Sequence, residues 1–209
     1  MNLHQKIIET AIQFNVSGLS VGTSGNLSAR TSQGYLITPS GIPYHQLKAA
    51  DIVEMDLQGN VVHGDLKPSS EWHFHQDIYL AREEINAIVH VHSDYATGIA
   101  CTRQDIHAFH YMVARAGGDS IRCAEYATFG TDALSQNAVK ALQGRSACLL
   151  ANHGMIALGE SIDSAYKLAE EIENIAKQYY ISKQLGEVVL LDDDEMKINL
   201  EKFNTYGKQ

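Results

Sequence analysis

The sequence predicts an α/β fold in which helices cover a largely antiparallel β-sheet. Two pairs of short alternating runs, each pair joined by a polar turn, lie in the N-terminal third of the chain, and this is the pattern of a β-hairpin. Segments with apolar residues at helical spacing precede and follow these runs. Because hairpins are mixed with helices and no strict strand–helix–strand repeat occurs, we expect antiparallel neighbours rather than a parallel sheet.

Apolar periodicity gives the position of each element. The first helix begins at Leu3 and ends near Gly18, and the longest begins at Ile162 and ends near Leu185. The predicted helices span residues 3–18, 70–82, 95–101, 131–142, 162–185 and 195–203. The predicted strands span residues 26–30, 35–38, 52–55, 60–62, 86–92, 147–151 and 155–158. Residues 110–130 form a polar, glycine-rich stretch for which no element is predicted.

Composition limits the size of the core and the kinds of partner. A chain of 209 residues that is 44% hydrophobic can bury a full core, and a single domain over residues 1–209 is the simplest organisation. The net charge of −9 argues against a nucleic-acid binder, and no apolar stretch approaches the roughly 18 residues of a membrane span. Three cysteines without paired spacing indicate reduced thiols. We therefore expect a cytoplasmic protein that binds neither nucleic acid nor membrane.

Two histidines at the end of an apolar run are the most informative feature of the chain. In an extended strand residues i and i+2 point the same way, so the imidazoles of His90 and His92 leave one face. Glu71 lies upstream at a loop-to-helix boundary, and His153 follows a second apolar run. Three imidazoles and a carboxylate suit zinc or a similar divalent ion. The alternative for a lone His-x-His pair is two partly buried imidazoles that bond to backbone.

Three short turns rich in glycine and hydroxyl groups are candidates for binding an anion. Glycines let backbone N–H groups come close to an anion, while serines and a helix N-terminus add donors. Each turn by itself is more often an ordinary turn or helix cap. The turns are Thr23-Ser24-Gly25-Asn26, Ser40-Gly41 and Ser69-Ser70.

The chain resembles the class II aldolase/adducin family nearly from end to end. The motifs that carry the resemblance are Gly-Thr-Ser-Gly-Asn-Leu-Ser at 22–28, Leu-Ile-Thr-Pro-Ser-Gly-Ile-Pro-Tyr at 36–44, Pro-Ser-Ser-Glu-Trp at 68–72, Val-His-Val-His at 89–92 and Asn-His-Gly at 152–154. Segments 110–112, 127–131 and 201–207 are similar to the fuculose-type members of the family. The resemblance implies a three-layer αβα fold with a largely antiparallel central sheet.

The resemblance also implies a catalytic metal. Its ligands would be Glu71, His90, His92 and His153, which would bind one Zn²⁺ per chain. Glu71 would leave the metal when substrate arrives and then act as the base that transfers a proton. The same ligand set accepts Co²⁺ or Mn²⁺, so the metal used in the cell stays open.

Further site residues follow from the same resemblance. Contacts to the substrate phosphate or to the enediolate would come from Gly25, Asn26, Ser40, Gly41, Ser69 and Ser70. Phe129 would shape the aldehyde pocket. Tyr111 would act across a subunit boundary and donate a proton to the aldehyde oxygen during condensation. Tyr206 would lie on a mobile C-terminal tail at about 203–209 that closes over the site, in a homotetramer with active sites between subunits.

The implied reaction is the reversible cleavage of L-fuculose 1-phosphate, or of a close ketose 1-phosphate, to dihydroxyacetone phosphate and L-lactaldehyde. The alternatives are an L-ribulose-5-phosphate 4-epimerase-like enzyme, a 5-deoxyribulose or pentulose 1-phosphate aldolase, and a non-catalytic adducin-like interaction module. Three residues depart from the fuculose type. Asn152 stands where a histidine is common, and Ser24 and Ser40 are polar substitutions near the phosphate turns, so substrate preference stays open.

Overall fold

The computed structural model describes residues 2–205. The helices are α1 (Leu3–Val16), α2 (Trp72–Ala81), α3 (Asp94–Ala100), α4 (Asp132–Ala141), α5 (Ile162–Leu185) and α6 (Asp193–Thr205). The strands are β1 (Asn26–Arg30), β2 (Gly34–Ile37), β3 (Val53–Asp56), β4 (Val61–His63), β5 (Ala87–Val91), β6 (Ile106–His107), β7 (Ser120–Ala124), β8 (Ala147–Leu150) and β9 (Gly154–Gly159). Short 3₁₀ helices span Tyr44–Gln46, Ala49–Asp51 and Tyr111–Ala116.

The nine strands of the described residues form one sheet in the order β4-β3-β2-β1-β5-β9-β8-β7-β6. Every neighbouring pair is antiparallel except β7 and β8, which run parallel. The sequence-based expectation of a largely antiparallel sheet is therefore confirmed. Strand β5 lies centrally, between β1 and β9, so that its end is flanked by backbone on both sides.

Helices cover both faces of the sheet, which gives the three-layer αβα arrangement. The alternation of side chains along β5 divides the core. Ala87, Val89 and Val91 pack into a cluster with residues of α1, α3 and α5, whereas Ile88 packs into a second cluster with residues of α2 and α4. His90 shares the face of Ile88, and it lies against Phe74 of α2. The layer that holds α2 and α4 is thus the layer that the histidines face.

The stretch at 110–130 is more regular than the sequence analysis predicts. It contains the 3₁₀ helix Tyr111–Ala116 and strand β7, whose Ile121 and Ala124 are buried. Glycines at both ends and alternating polar residues hide this strand from a periodicity argument. It forms because β8 offers a parallel edge and β6 an antiparallel one.

The C-terminal helix is longer than predicted. Helix α6 ends at Thr205, so residues 203–205 of the expected tail are helical, and Tyr206 lies outside the described residues. None of the helices within residues 2–205 combines the length and the apolar character that crossing a bilayer requires.

Candidate metal centre

Four side chains converge at the end of β5. Glu71 immediately precedes α2, His90 lies in β5 with His92 just after it, and His153 lies in the turn between β8 and β9. One ligand atom from each residue can be chosen so that all four atoms lie within 4.8 Å of one another. The structure thus brings together the four residues that the sequence analysis singles out for a metal, and this cluster could hold a metal ion.

The three imidazoles form a nearly symmetric arrangement. Their ring centroids are 4.8–4.9 Å apart in all three pairs, and the ring planes meet at 70–73°. The Nε2 atoms of His90 and His92 are 2.9 Å apart. Because His90 lies in a strand and His92 two residues later, their side chains leave the sheet on the same face, as the His-x-His spacing predicts.

The Glu71 carboxylate faces two of these rings. Its Oε2 atom lies 3.1 Å from Nε2 of His90, and its Oε1 atom lies 3.1 Å from Nε2 of His153. Burial disfavours the charged form of Glu71, but the charge and hydrogen bonding of the neighbouring imidazoles outweigh burial and hold its pKa well below the usual range. The carboxylate is therefore ionised at neutral pH.

The donor atoms of the cluster fit a bound cation. Nδ1 of His90 lies 2.9 Å from the carbonyl oxygen of Met155, which can only accept, so Nδ1 carries a hydrogen and Nε2 faces the cluster. Burial, together with the nearby imidazoles, lowers the pKa of His92 to about 3, so this ring is neutral. Both carboxylate oxygens of Glu71 face the imidazoles. Nitrogen and oxygen atoms of the four residues thus converge on one place, which suits a divalent cation with three imidazole ligands and one carboxylate.

A cavity of about 320 Å³ opens beside the cluster. Glu71, His92 and His153 line it. The lining also contains the small residues that the sequence analysis singles out for phosphate or enediolate contacts: Gly25, Asn26, Ser40, Gly41, Ser69 and Ser70. Tyr126, Ala127, Phe129 and Asn152 line it as well. The cavity therefore combines hydroxyl- and glycine-rich turns, part of the cluster and two aromatic rings in one lining.

Backbone contacts bring the small residues together. An isolated β-bridge between Pro39 and Pro68 holds the 40–41 turn against the 69–70 turn. Gly25 has φ +86°, and a Cβ there would lie 2.7 Å from the backbone oxygen of His90. A larger residue would therefore push β1 away from the end of β5, so glycine is required for this close approach.

The matching protein family is described as the class II aldolase and adducin N-terminal domain, and it covers residues 5–180. The chain belongs to this family. A protein from Rhodospirillum rubrum named 5-methylthioribulose-1-phosphate/5-deoxyribulose-1-phosphate aldolase is 50% identical over 98% of this chain and 92% of its own length. The L-fuculose phosphate aldolase of Escherichia coli K12 is 45% identical over 98% of this chain and 95% of its own. A solved structure of an L-fuculose 1-phosphate aldolase superposes with a TM-score of 0.94 at 46% identity, covering 97% of this chain and 96% of that one.

These similarities identify the chain as a class II aldolase, which is a lyase. The sequence-based assignment to the family is confirmed, and the interaction-module alternative gives way to an enzyme. The relatives carry different substrate names, so the substrate of this aldolase is a separate question.

Tyr111 lies away from this cavity. Its side chain is 47% exposed and stacks on Phe203 of α6, with ring centroids 6.2 Å apart and planes at 7°. Both rings line another cavity, together with Arg115, whose guanidinium lies over the Phe203 ring at 5.5 Å. The expected role of Tyr111 at a neighbouring subunit of the aldolase stays a prediction, and the role of Tyr206 falls on a residue outside the described range.

Two residues at the aldolase cavity, Arg103 and Tyr126, are not singled out by the sequence analysis. Arg103 donates from Nε to Oδ1 of Asn152 at 2.7 Å, and its guanidinium lies 5.6 Å from the ring centroid of Tyr126. Arg103 and Asn152 have φ +57° and +54°. Strained backbone of this kind is concentrated at functional sites, and here it positions the wall that faces the cluster. A non-glycine residue in this conformation is not visible in the sequence, although the position of Asn152 beside His153 is.

His75 lies beside the metal cluster and is a further residue that the sequence analysis does not single out. It is fully buried in α2, and its ring lies 4.7 Å from Phe74. Nε2 is 2.5 Å from Oδ1 of Asn26, and Nδ1 is 2.7 Å from Oγ of Ser28. Burial lowers the pKa of His75 to about 3, with a smaller contribution from His90, so the ring is neutral.

Proposed function

We propose that this aldolase cleaves a ketose 1-phosphate between C3 and C4, releasing dihydroxyacetone phosphate and an aldehyde. The observation that carries the proposal is the cavity whose lining combines the Glu71 and histidine cluster with hydroxyl-rich turns and aromatic rings. L-Fuculose 1-phosphate is the first candidate substrate, and its aldehyde product is L-lactaldehyde. The Escherichia coli relative named L-fuculose phosphate aldolase supports this choice.

A second candidate substrate is 5-deoxyribulose 1-phosphate, or its 5-methylthio counterpart. The Rhodospirillum rubrum relative, at 50% identity, is named for both. Asn152, which lines the cavity, is a departure from the fuculose type, so the aldehyde half of the substrate stays open. All these substrates share the dihydroxyacetone phosphate half and differ in the aldehyde half, where a pocket discriminates one carbon by only about 1–3 kcal/mol.

Glu71, His90, His92 and His153 would hold one Zn²⁺ per chain. When bound, a divalent cation of this kind acts as a Lewis acid that polarises the substrate carbonyl and stabilises the negative charge that develops on it. His90 is oriented for this role by the bond from its Nδ1 to the Met155 carbonyl. Glu71 and His90 are buried, so the inner side of the cluster is shielded from bulk water.

Glu71 is the proposed base for proton transfer at C3. In condensation the Glu71 carboxylate removes a proton from C3 of dihydroxyacetone phosphate, the resulting enediolate forms the C3–C4 bond with the aldehyde carbon, and the aldehyde oxygen takes a proton from Tyr111. Proton exchange with solvent then returns Glu71 to its ionised form and Tyr111 to its protonated form. In cleavage the same steps run in reverse: the C4 hydroxyl gives its proton to the Tyr111 oxygen, the C3–C4 bond breaks with its electron pair passing to the carbonyl, and protonated Glu71 delivers its proton to C3. The ionised state of Glu71 at neutral pH suits the removal step.

The phosphate would bind at the hydroxyl-rich turns. Ser40, Ser69 and Ser70 offer hydroxyl donors there, and Gly41 and Ser70 add backbone N–H groups, whereas the backbone N–H groups of Ser40 and Ser69 donate to other carbonyl oxygens. The 69–70 turn lies at the start of α2, whose dipole favours an anion. Gly25 and Asn26 also line the cavity, beside His90 and Glu71, and would contact the enediolate. Phe129 would contact the aldehyde half through its apolar ring.

Tyr111 and Tyr206 are the proposed contributions from outside this cavity. A homotetramer in which Tyr111 reaches a neighbouring active site agrees with its exposure and its distance from the chain's own cavity residues. Its hydroxyl would donate a proton to the aldehyde oxygen in condensation, and Tyr206 would close over the site. A cytoplasmic location agrees with the free state of the cysteines in the described residues.

The test is release of dihydroxyacetone phosphate by zinc-loaded protein from L-fuculose 1-phosphate and from 5-deoxyribulose 1-phosphate, with a chelator-treated sample as control. We expect release from at least one substrate that stops on chelation and returns with zinc. Release that persists without metal would contradict the metal assignment. Interconversion of a ketose 5-phosphate without release of fragments, by a protein that holds zinc, would favour the epimerase-like alternative.

A further inference from the structure

A continuous chain of buried hydrogen bonds ends at Glu71. Oγ of Ser28 lies 2.8 Å from the hydroxyl of Tyr79 and 2.7 Å from Nδ1 of His75. Nε2 of His75 lies 2.5 Å from Oδ1 of Asn26, whose Nδ2 donates to Oε2 of Glu71 at 3.0 Å. All five side chains are buried. Burying polar side chains costs free energy unless each polar atom has a hydrogen-bond partner. Five buried polar side chains in one continuous network therefore indicate a role beyond packing.

The spacing of the residues explains how this chain forms. Glu71, His75 and Tyr79 recur every four residues and lie on one face of α2 and its N-terminal boundary. Asn26 and Ser28 lie two residues apart in β1 and share one face of the strand. The register of β1 with β5 sets Asn26 opposite His90, so this face of β1 begins beside the metal cluster.

Arg30 lies on the same face of β1, two residues beyond Ser28. Its Nη2 atom donates to the backbone oxygen of Tyr79 at 2.8 Å, and its guanidinium lies 4.6 Å from the ring centroid of Tyr79. The far end of the network is therefore anchored to α2 by a second contact. One face of α2 and its N-terminal boundary, at residues 71, 75 and 79, is thus hydrogen-bonded to one face of β1, at residues 26, 28 and 30.

The hydrogen atoms in this network can have only one direction. An ionised carboxylate only accepts, so the Asn26 amide must present Nδ2 to Glu71 and Oδ1 to His75. Nε2 of His75 therefore carries a hydrogen, and because the buried ring is neutral, its Nδ1 accepts from the Ser28 hydroxyl. Ser28 in turn accepts from the Tyr79 hydroxyl. Every donor in the chain points towards Glu71.

We propose that His75 is a positioning residue that locks the Asn26 amide, and through it the Glu71 carboxylate, in the orientation that the metal cluster requires. Asn26 lines the cavity, so the same lock directs the second hydrogen of its Nδ2 into the substrate space. His75 acts through Asn26 and does not itself line the cavity. The catalytic consequence rests on the proposed function, whereas the effect on metal binding is independent of the substrate.

The decisive variants are His75→Phe and His75→Gln. Phenylalanine keeps a ring in the buried site but removes both hydrogen bonds. Glutamine supplies an amide donor towards Asn26 and an acceptor towards Ser28. Supporting contacts of metal ligands alter affinity by about 10–100-fold, so we expect His75→Phe to weaken zinc binding at least about tenfold in competition with a chromogenic chelator. It should also change the visible spectrum of the Co²⁺-loaded protein. His75→Gln should recover most of both signals.

Two fully buried serines provide a matched control. Ser28→Ala removes the donor to His75, whereas Ser135→Ala removes a hydroxyl that donates to Asp77 on the outer side of α2. Both should lower thermal stability, but only Ser28→Ala should weaken zinc binding and lower kcat. Tyr79→Phe should have a smaller effect, because the Ser28 hydroxyl can still donate to His75.

Zinc affinity and a Co²⁺ spectrum equal to those of wild type in folded His75→Phe would overturn the proposal. Should that variant not fold, equal zinc affinity in Ser28→Ala and Ser135→Ala would overturn it as well. If neither the wild-type protein nor any variant releases dihydroxyacetone phosphate, that result contradicts the proposed function instead. The metal affinities would still decide on the network in that case.

Discussion

The two walls of the cavity differ in burial and in the elements that build them. The inner wall consists of the metal cluster at the end of β5, where Glu71 is only 6% exposed, and of the turns beside it, where Ser69 is buried but Ser40 and Ser70 are exposed. The outer wall consists of Tyr126, Phe129 and Asn152, which lie in loops, and the two aromatic rings are 53% and 64% exposed.

The difference in burial separates the residues proposed to carry out the reaction from the residues proposed to select the substrate. The inner wall is fixed by β1, β5 and β9 and by buried hydrogen bonds, so the proposed metal site, base and phosphate contacts can stay the same from one substrate to another. The outer wall is free to vary because few packed neighbours constrain it. Relatives of 45% and 50% identity that bear different substrate names agree with this division.

The largest effect is expected at the inner wall, from Glu71→Gln. The variant keeps the shape of the side chain but loses the base, so kcat for release of dihydroxyacetone phosphate should fall by about 10³-fold. The fall should be equal for every substrate that the enzyme accepts. Steady-state kinetics with L-fuculose 1-phosphate and 5-deoxyribulose 1-phosphate measure it. Glu125→Gln, at an exposed position, serves as control, and a Glu71→Gln variant with a tenth of wild-type kcat would contradict the assignment.

Tyr111→Phe tests whether a residue from outside the chain's own cavity takes part in the reaction. We expect kcat to fall about a hundredfold, because the variant lacks the proton donor for the aldehyde oxygen, while metal content stays at the wild-type level. Tyr180→Phe is the control, since Tyr180 is equally exposed. An unchanged kcat would remove Tyr111 from the acid role. A mass near 23.0 kDa for the active protein in solution would argue against its action from a neighbouring chain.

Ser70→Ala should have a smaller effect, confined to substrate binding. Loss of one hydrogen bond to a charged phosphate costs about 1.5–3 kcal/mol, so KM should rise roughly tenfold or more with little change in kcat. Ser70 is the better probe than Ser69, because Ser69 Oγ also accepts from the backbone N–H of Glu71. Ser32→Ala, on an exposed turn, is the control. A KM equal to that of wild type would move the phosphate away from this turn.

The smallest effect is expected at the outer wall, from Arg103→Ala. Without the bond to Asn152 and the contact with Tyr126 the wall loosens, so the ratio of kcat/KM between the two ketose phosphates should change about fivefold. Zinc content should not change. The Ser70→Ala variant is the comparison, because it should leave that ratio as in wild type. A ratio that moves with Ser70→Ala and not with Arg103→Ala would reverse the division between the walls.

The sequence predicts most of the inner wall because its residues have local signatures. His90 and His92 alternate along an apolar strand, and Gly25 lies in a turn that only small residues can form. The antiparallel sheet and its covering helices follow from the same periodicities, whereas the three-layer arrangement is implied by the family resemblance. Strand β7 is missed because its pairing partners, β6 and β8, supply most of the reason for its conformation.

The outer wall and the buried network could not be predicted in the same way. Arg103 and Asn152 are 49 positions apart and meet only in the folded chain. His75 lies four residues from Glu71, a spacing visible in the sequence, but its bond to Asn26 joins residues 49 positions apart. Such contacts depend on the register between a helix and a strand, which local patterns do not specify.

The most direct test of the metal assignment is a zinc titration of the metal-free enzyme in which release of dihydroxyacetone phosphate is measured. We expect activity to rise in proportion to added zinc and to reach its plateau at one ion per chain. His92→Ala should show no plateau in that range, while His45→Ala, at an exposed position, should match wild type. Full activity before any metal is added, or equal titration curves for His92→Ala and His45→Ala, would contradict it.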